Sequence, residues 1–254
     1  MSYSSRFWLF APLCMLLGLA AWVGVHWWNA ASALDRKLDS MKGREAIPGM
    51  AIDWHSKTLS GFPFRLDTVF TGFSIKGTGA HGPFAWRSER FAFHALTYGA
   101  AKTVYEAAGP QQLAWTGGDG KAHKFTFLPA ALHASSVLSG GGLSRFDLDI
   151  AAAGSRNFIA GRFQFHMRRD PDGRNLDLML RADSVRPAGT HGAPAKNMQA
   201  YVSLTNASVF APLLRGEVSW PDAARAWRSG GGVAKLSQVT APEWSPDRLL
   251  SSLY

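Results

Sequence analysis

The chain is almost without cysteine. A single Cys14 in 254 residues excludes a disulfide framework, an iron–sulfur site and any zinc site built on several thiolates. Charge is also scarce, at 18% of residues against 46% hydrophobic, so a disordered chain is not expected. The familiar catalytic and nucleotide signatures are missing too. There is no G-x-S-x-G elbow, no G-x-G-x-x-G, no Walker lysine–serine pair, no H-E-x-x-H and no C-x-x-C. Asp147 and Asp149 share one side of a strand, but a carboxylate pair needs a pocket and a partner to act as acid and base. Asp170-Pro171-Asp172-Gly173 has its glycine at the fourth position, not the sixth that a calcium loop needs, and reads as a hairpin turn. The sequence therefore carries no support for an enzyme, a cofactor or a metal. Nor does it carry a nucleic-acid-binding signature. The excess of 27 Lys and Arg over 18 Asp and Glu, a net +9, is scattered and reads as solubility.

What the chain does have is one long apolar run. Phe7 to Trp28 contains no Asp, Glu, Lys or Arg. As a helix these residues reach about 33 Å, enough for a hydrocarbon core of about 30 Å. Trp8 stands at one end and Trp22, Trp27 and Trp28 at the other, where indoles favour the membrane–water interface. Pro12 falls in the first turns, where a missing N–H costs least. A count of flanking positive charge would put the C-terminal part in the cytoplasm. The short N-terminal tail with Arg6 before a long apolar run is instead a signal-anchor layout, and it sets the expectation: N-terminus inside, large domain outside. Ala31-Ser32-Ala33 resembles a cleavage site, so a removed signal peptide is the rival reading. The expected organisation is an anchor over 1–33, a juxtamembrane linker over 34–49 and a β-rich domain over 50–254.

From Met50 the hydrophobic period becomes two. Phe62, Phe64, Leu66, Thr68 and Phe70 are expected on one face of a strand, with a bulge at Gly72. Pro63 marks that strand as an edge or a bulge. Phe91, Phe93, Ala95 and Thr97 line a second strand, in a segment running from Phe84 to Tyr98. Val104–Tyr105, Leu113–Trp115, Phe125–Leu128, His133–Leu138 and Arg145–Ile150 are further strand candidates. The clearest hairpin joins Ile159, Gly161, Phe163, Phe165 and Met167 to Leu176, Leu178, Leu180 and Ala182. Pro221 to Ser229 reads as a helix ended by Gly230–Gly232, and Val233 to Val239 as a last strand. No fixed-period repeat is apparent. The fold class expected is mainly β: an N-terminal transmembrane helix, then a large curved antiparallel sheet, as a groove or half-open barrel, with one short helix near the C-terminus.

The anchor, the aromatic strand near Trp54, Ser60-Gly61-Phe62-Pro63-Phe64-Arg65, the Phe91–Tyr98 strand and Ala226-Trp227-Arg228-Ser229-Gly230-Gly231 together resemble a bacterial family of uncharacterised, singly anchored envelope proteins, a domain of unknown function. The resemblance implies a tether in the inner membrane and a domain in the periplasm. In strand pattern it is similar to AsmA-like envelope proteins, whose curved sheets are thought to form apolar grooves for lipids; that is an analogy of architecture. Members of the family usually continue through more strands after the Ala-Trp-Arg-Ser-Gly-Gly segment. An exposed sheet edge, or a tail covering it, is expected there.

These readings give a candidate apolar groove of Phe62, Phe64, Phe91, Phe93, Phe163 and Phe165, with Arg65 beside a lipid headgroup. The expected function is non-catalytic: binding or conveying an amphiphile such as a phospholipid. The alternative is a structural or adaptor protein of the envelope that docks another envelope protein.

Overall fold

The computed structural model describes residues 6–79, 82–97, 101–140, 142–155, 158–187 and 194–240. Tyr98, the Trp8 side chain and the tail beyond Thr240 lie outside this description. One 36-residue helix, α1 (Arg6–Met41), precedes thirteen strands that form a single antiparallel sheet. These are β1 (Arg44–Ile47), β2 (Met50–Asp53), β3 (Ser56–Ser60), β4 (Arg65–Gly79), β5 (Gly82–Leu96), β6 (Lys102–Thr116) and β7 (Ala122–Leu128). There follow β8 (Ala131–Ser139), β9 (Gly142–Ser155), β10 (Phe158–Arg169), β11 (Leu176–Pro187), β12 (Ala195–Leu204) and β13 (Ala234–Thr240). Between β12 and β13 come a 3-10 turn (Ala207–Phe210), α2 (Ala211–Leu214) and α3 (Trp220–Ser229).

The order across the sheet follows the chain, as successive hairpins dictate, from β1 to β13. The first and last strands do not pair, so the sheet is open rather than a closed barrel. Two positions hold half-strands end to end. β2 and β3 both pair with β4, and β7 and β8 both pair with β6 and β9. The separate candidates at Val104–Tyr105 and Leu113–Trp115 are one 15-residue strand, β6.

A crease crosses the sheet where these half-strands meet. Phe70 and Phe73 are both buried in one cluster with Trp86 and Phe91, although odd spacing should put them on opposite faces. The face inverts between them. Gly72 sits at φ +59, with the His55 side chain 3.2 Å from where a Cβ would be. The register of β4 with β5 is unbroken through it, so the expected bulge at Gly72 is a twist of the backbone without an added residue. The added residue is two strands away, in β6. There Gly109, at φ +77, lies in the register shift opposite Ser88–Arg90. The fully buried Gln111 ties this point together. Its Nε2 donates to Ser88 Oγ and to the Gly109 carbonyl, both at 3.0 Å, and its Oε1 accepts from Trp86 Nε1 at 3.1 Å. In the second half of the sheet the inversion recurs. Ala153, Ala160 and Val185 share a cluster with Ile150, and Ala152 and Asn197 have positive φ beside them. Ile159 is consequently exposed, and Ala160 is the inward residue; the expected face Ile159–Gly161–Phe163 is broken by this inversion.

The lower half of α1 docks on β2–β5. Ala31 and Leu38 are buried, and Leu34 and Leu38 pack into the cluster of Trp54, Phe70 and Phe73. Lys57 projects from β3 to Asp35 and Asp39 of α1, at 2.7 and 2.6 Å. The boundary at 33/34 thus falls inside a continuous helix. At the other side, α3 starts at Ser219, whose hydroxyl accepts from the Asp222 N–H, and ends at Gly230. Trp227 of α3 donates to the Thr205 carbonyl at 2.6 Å, and this helical segment covers Phe146, Phe165, Met167 and Leu176. β13 forms the last edge, exposed at all seven residues.

Replacing Gln111 by Leu keeps the bulk but leaves the Trp86 N–H and the Gly109 carbonyl unpaired. The expected cost is about 2–3 kcal/mol, read as a lower urea midpoint of the detergent-solubilised chain, whereas Ser237→Ala on β13 should change it by less than about 0.5 kcal/mol.

Candidate functional site at the corner of helix and sheet

The segment Gly61–Phe64 is a turn joining β3 to β4, and the strand begins only at Arg65. This corrects the expectation that Phe62 and Phe64 head a strand face. Gly61 has φ +102, and a Cβ there would lie 2.7 Å from the Arg65 carbonyl oxygen, so only glycine fits. The turn is tightly bonded. The Arg65 N–H donates to the Gly61 carbonyl at 2.9 Å, and both Thr97 N–H and Thr97 Oγ1 donate to the Phe64 carbonyl, at 3.0 and 3.1 Å. The Phe62–Pro63 peptide is cis. Held in this way, Phe62 and Phe64 are 61% and 54% exposed. Trp27 of α1 closes the corner. Its Nε1 donates to the Arg65 carbonyl at 2.8 Å, and its ring meets Phe62 edge-on at 5.5 Å.

The six phenylalanines expected to line one groove occupy three places. Phe62 and Phe64 are at this corner. Phe91 and Phe93 are half-buried in the aromatic cluster under α1, with Phe91 stacked on Phe73 at 4.4 Å. Phe165 packs under α2 and α3, and Phe163 is half-buried on the same face of β10.

On the opposite face, beside the corner, Arg65 and His94 converge on Asp67. Arg65 Nη2 reaches Asp67 Oδ2 at 2.7 Å, and His94 Nδ1 is 2.7 Å from Asp67 Oδ1. The ionised carboxylate can only accept, so Nδ1 carries the proton. Burial works to raise the Asp67 pKa, but the hydrogen bonds from Arg65 and His94 outweigh it and hold the carboxyl below its usual range. The same arrangement recurs on β9 and β10. There Arg145 and His166 hold Asp147, with His166 Nδ1 at 2.6 Å. Burial again raises this carboxyl, and His166 and then Arg145 bring it down further.

This recurrence is a signal that periodicity alone passes over. Arg90-Phe91-Ala92-Phe93-His94 on β5 matches Arg162-Phe163-Gln164-Phe165-His166 on β10. Each is preceded by a strand bearing Arg-x-Asp, Arg65–Asp67 and Arg145–Asp147, and the register sets each His opposite its Asp. The two hairpins share this arrangement, with Phe91, Phe93 and Phe165 packed in the apolar clusters and each His paired on the other face. Four of the six groove candidates are the two Phe pairs of this arrangement. Among the described residues no group of three or more His, Cys, Asp or Glu could hold a metal ion.

These observations define a class: a mostly β protein whose open antiparallel sheet is docked on the end of an N-terminal apolar helix. The chain belongs to the bacterial family described as an uncharacterized protein conserved in bacteria (DUF2125), whose model matches residues 27–246. No curated protein and no solved structure matches the chain, and the analogy to AsmA-like proteins rests on strand pattern alone.

The lowered carboxyls set a pH dependence. In the window between the folded and the ordinary Asp values the unfolded chain binds more protons, so the stability from Asp67 and Asp147 is complete above about pH 4 and is lost as pH falls through the lowered folded values. Denaturant midpoints followed from pH 7 to pH 2.5 should fall less steeply below pH 4 in the double variant Asp67→Asn, Asp147→Asn than in the parent, starting from a lower value at pH 7.

Proposed function

We propose that this protein is a non-catalytic, single-span protein of the cell envelope. It is tethered in the inner membrane by α1 with its sheet in the periplasm, and it binds or conveys an amphiphile such as a phospholipid. The observation that carries the reading is an apolar cavity of about 560 Å³ between the far end of the sheet and the α2–α3 segment. Ile47, Met50, Phe84, Trp115, Leu213, Val218 and Trp220 line it, and none of these side chains carries a charge. Its size falls in the range of about 300–1,000 Å³ typical of small-molecule sites, and each methylene removed from water there contributes about 0.8 kcal/mol.

Several features support an uncleaved tether. α1 is long and apolar enough to cross a membrane, a property signal sequences share. It runs as unbroken helix through Ala31-Ser32-Ala33. Cleavage after Ala33 would strip away the buried Ala31 and the Trp27 that closes the corner, and both lie inside the segment matched to the family. The alternative, an adaptor for another envelope protein, is favoured by the edge strand β13, whose seven residues are all exposed.

Native mass spectrometry of the full chain, released from membranes in mild detergent, tests the amphiphile reading. Wild type should carry a copurifying lipid, and Leu213→Trp or Val218→Trp, which fill the cavity, should lose most of it. A lipid-free wild type, or filled variants that keep their lipid, would overturn it. A protein adduct from amine crosslinking at Lys235 would move the function to the adaptor reading.

A further inference from the structure

We infer that the Gly61–Phe64 turn is a second contact with the phospholipid bilayer, seating Phe62 and Phe64 in the interfacial layer beside α1, an inference that rests on α1 spanning that bilayer. The depth of the turn follows from contact. The apolar run of α1 ends at Trp28, and the first charge after it is Asp35. A run of about 33 Å on a core of about 30 Å puts Trp27 at the boundary between acyl chains and headgroups. The Phe62 ring lies 5.5 Å from the Trp27 ring, so it occupies the same level to within one ring's width.

The turn is built to hold its rings outward. Its Gly61 and Phe64 carbonyls accept from Arg65 and Thr97, and Trp27 ties it to α1, yet both of its phenylalanines stay more than half exposed. In water this arrangement wastes apolar area that the nearby aromatic cluster could have taken. Beside a bilayer the same area is buried in lipid. The rim continues the pattern. Leu96, register partner of Arg65 at the end of β5, is 44% exposed. Arg65 itself is 58% exposed and gives only part of its guanidinium to Asp67, so a cation stands at the level of the lipid phosphates.

Site-directed spin labelling tests this on the full chain in nanodiscs of phosphatidylethanolamine and phosphatidylglycerol. In a Cys14→Ala background, nitroxides are placed by Phe64→Cys, Phe62→Cys, Leu17→Cys in the apolar run and Ser237→Cys on β13. The Phe64 and Phe62 sites should lie between the two references, below Leu17 in the middle of the apolar run but colliding with dissolved oxygen several-fold more, relative to an aqueous nickel chelate, than Ser237 does. If both turn sites are as open to nickel as Ser237 while Leu17 is protected, the turn does not touch lipid and the tether stands. If Leu17 is also open to nickel, the tether fails and the inference fails with it.

Discussion

The sheet depends on one geometric constraint: strands of up to fifteen residues must bend while keeping their apolar side chains on one side. Strict alternation cannot do this across a sharp bend. The chain inverts the phase along a line through Gly72, Gly109, Ala152 and Asn197, four positive-φ positions on four strands. Each inversion costs conformational strain or a glycine's entropy. In return, Phe70 and Phe73, or Ile150 and Ala153, join one apolar layer instead of splitting across the sheet. Gln111 shows how closely the bend is specified: a fully buried amide is bonded on both sides of the bulge.

The second dependence is between helix and sheet. The aromatic cluster of Trp54, Phe70 and Phe73 is covered by Leu34 and Leu38 of α1. Lys57 sits with only 11% of its side chain exposed and bridges Asp35 and Asp39. Burial lowers its pKa, and the two carboxylates more than restore it, so the net direction is upward. The helix is thus part of the domain's core as well as its leading segment.

The alternation of the sequence made much of this legible. The apolar helix, the hairpin around Asp170–Gly173, the Pro221–Ser229 helix and the open sheet follow from period, turn chemistry and caps. Legibility failed where the phase inverts. Ile159 and Gly161 read as inward because nothing local announces that Ala160 will be. Phe62 and Phe64 read as strand residues because the turn they occupy keeps an alternating pattern. The paired Arg–Asp–His sets were hidden for another reason. Each is assembled across two strands, and only the repeated Arg-Phe-x-Phe-His string betrays them. The cavity was not legible at all, since it needs Leu213, Val218 and Trp220 to meet Ile47, Met50 and Phe84, which are more than a hundred residues away in the chain.

α1 has no break between its free apolar half and its docked half. Thirty-six helical residues form one stiff rod of about 54 Å, and no hinge separates the part that lipid would surround from the part fastened to the sheet. Transmembrane helices lean by about 20° on average, by an amount set partly by bilayer thickness. If α1 spans a bilayer, as proposed above, a rod joined in this way passes a change of lean to the strands it is fastened to. The attitude of the sheet would then report the thickness of the membrane beneath it.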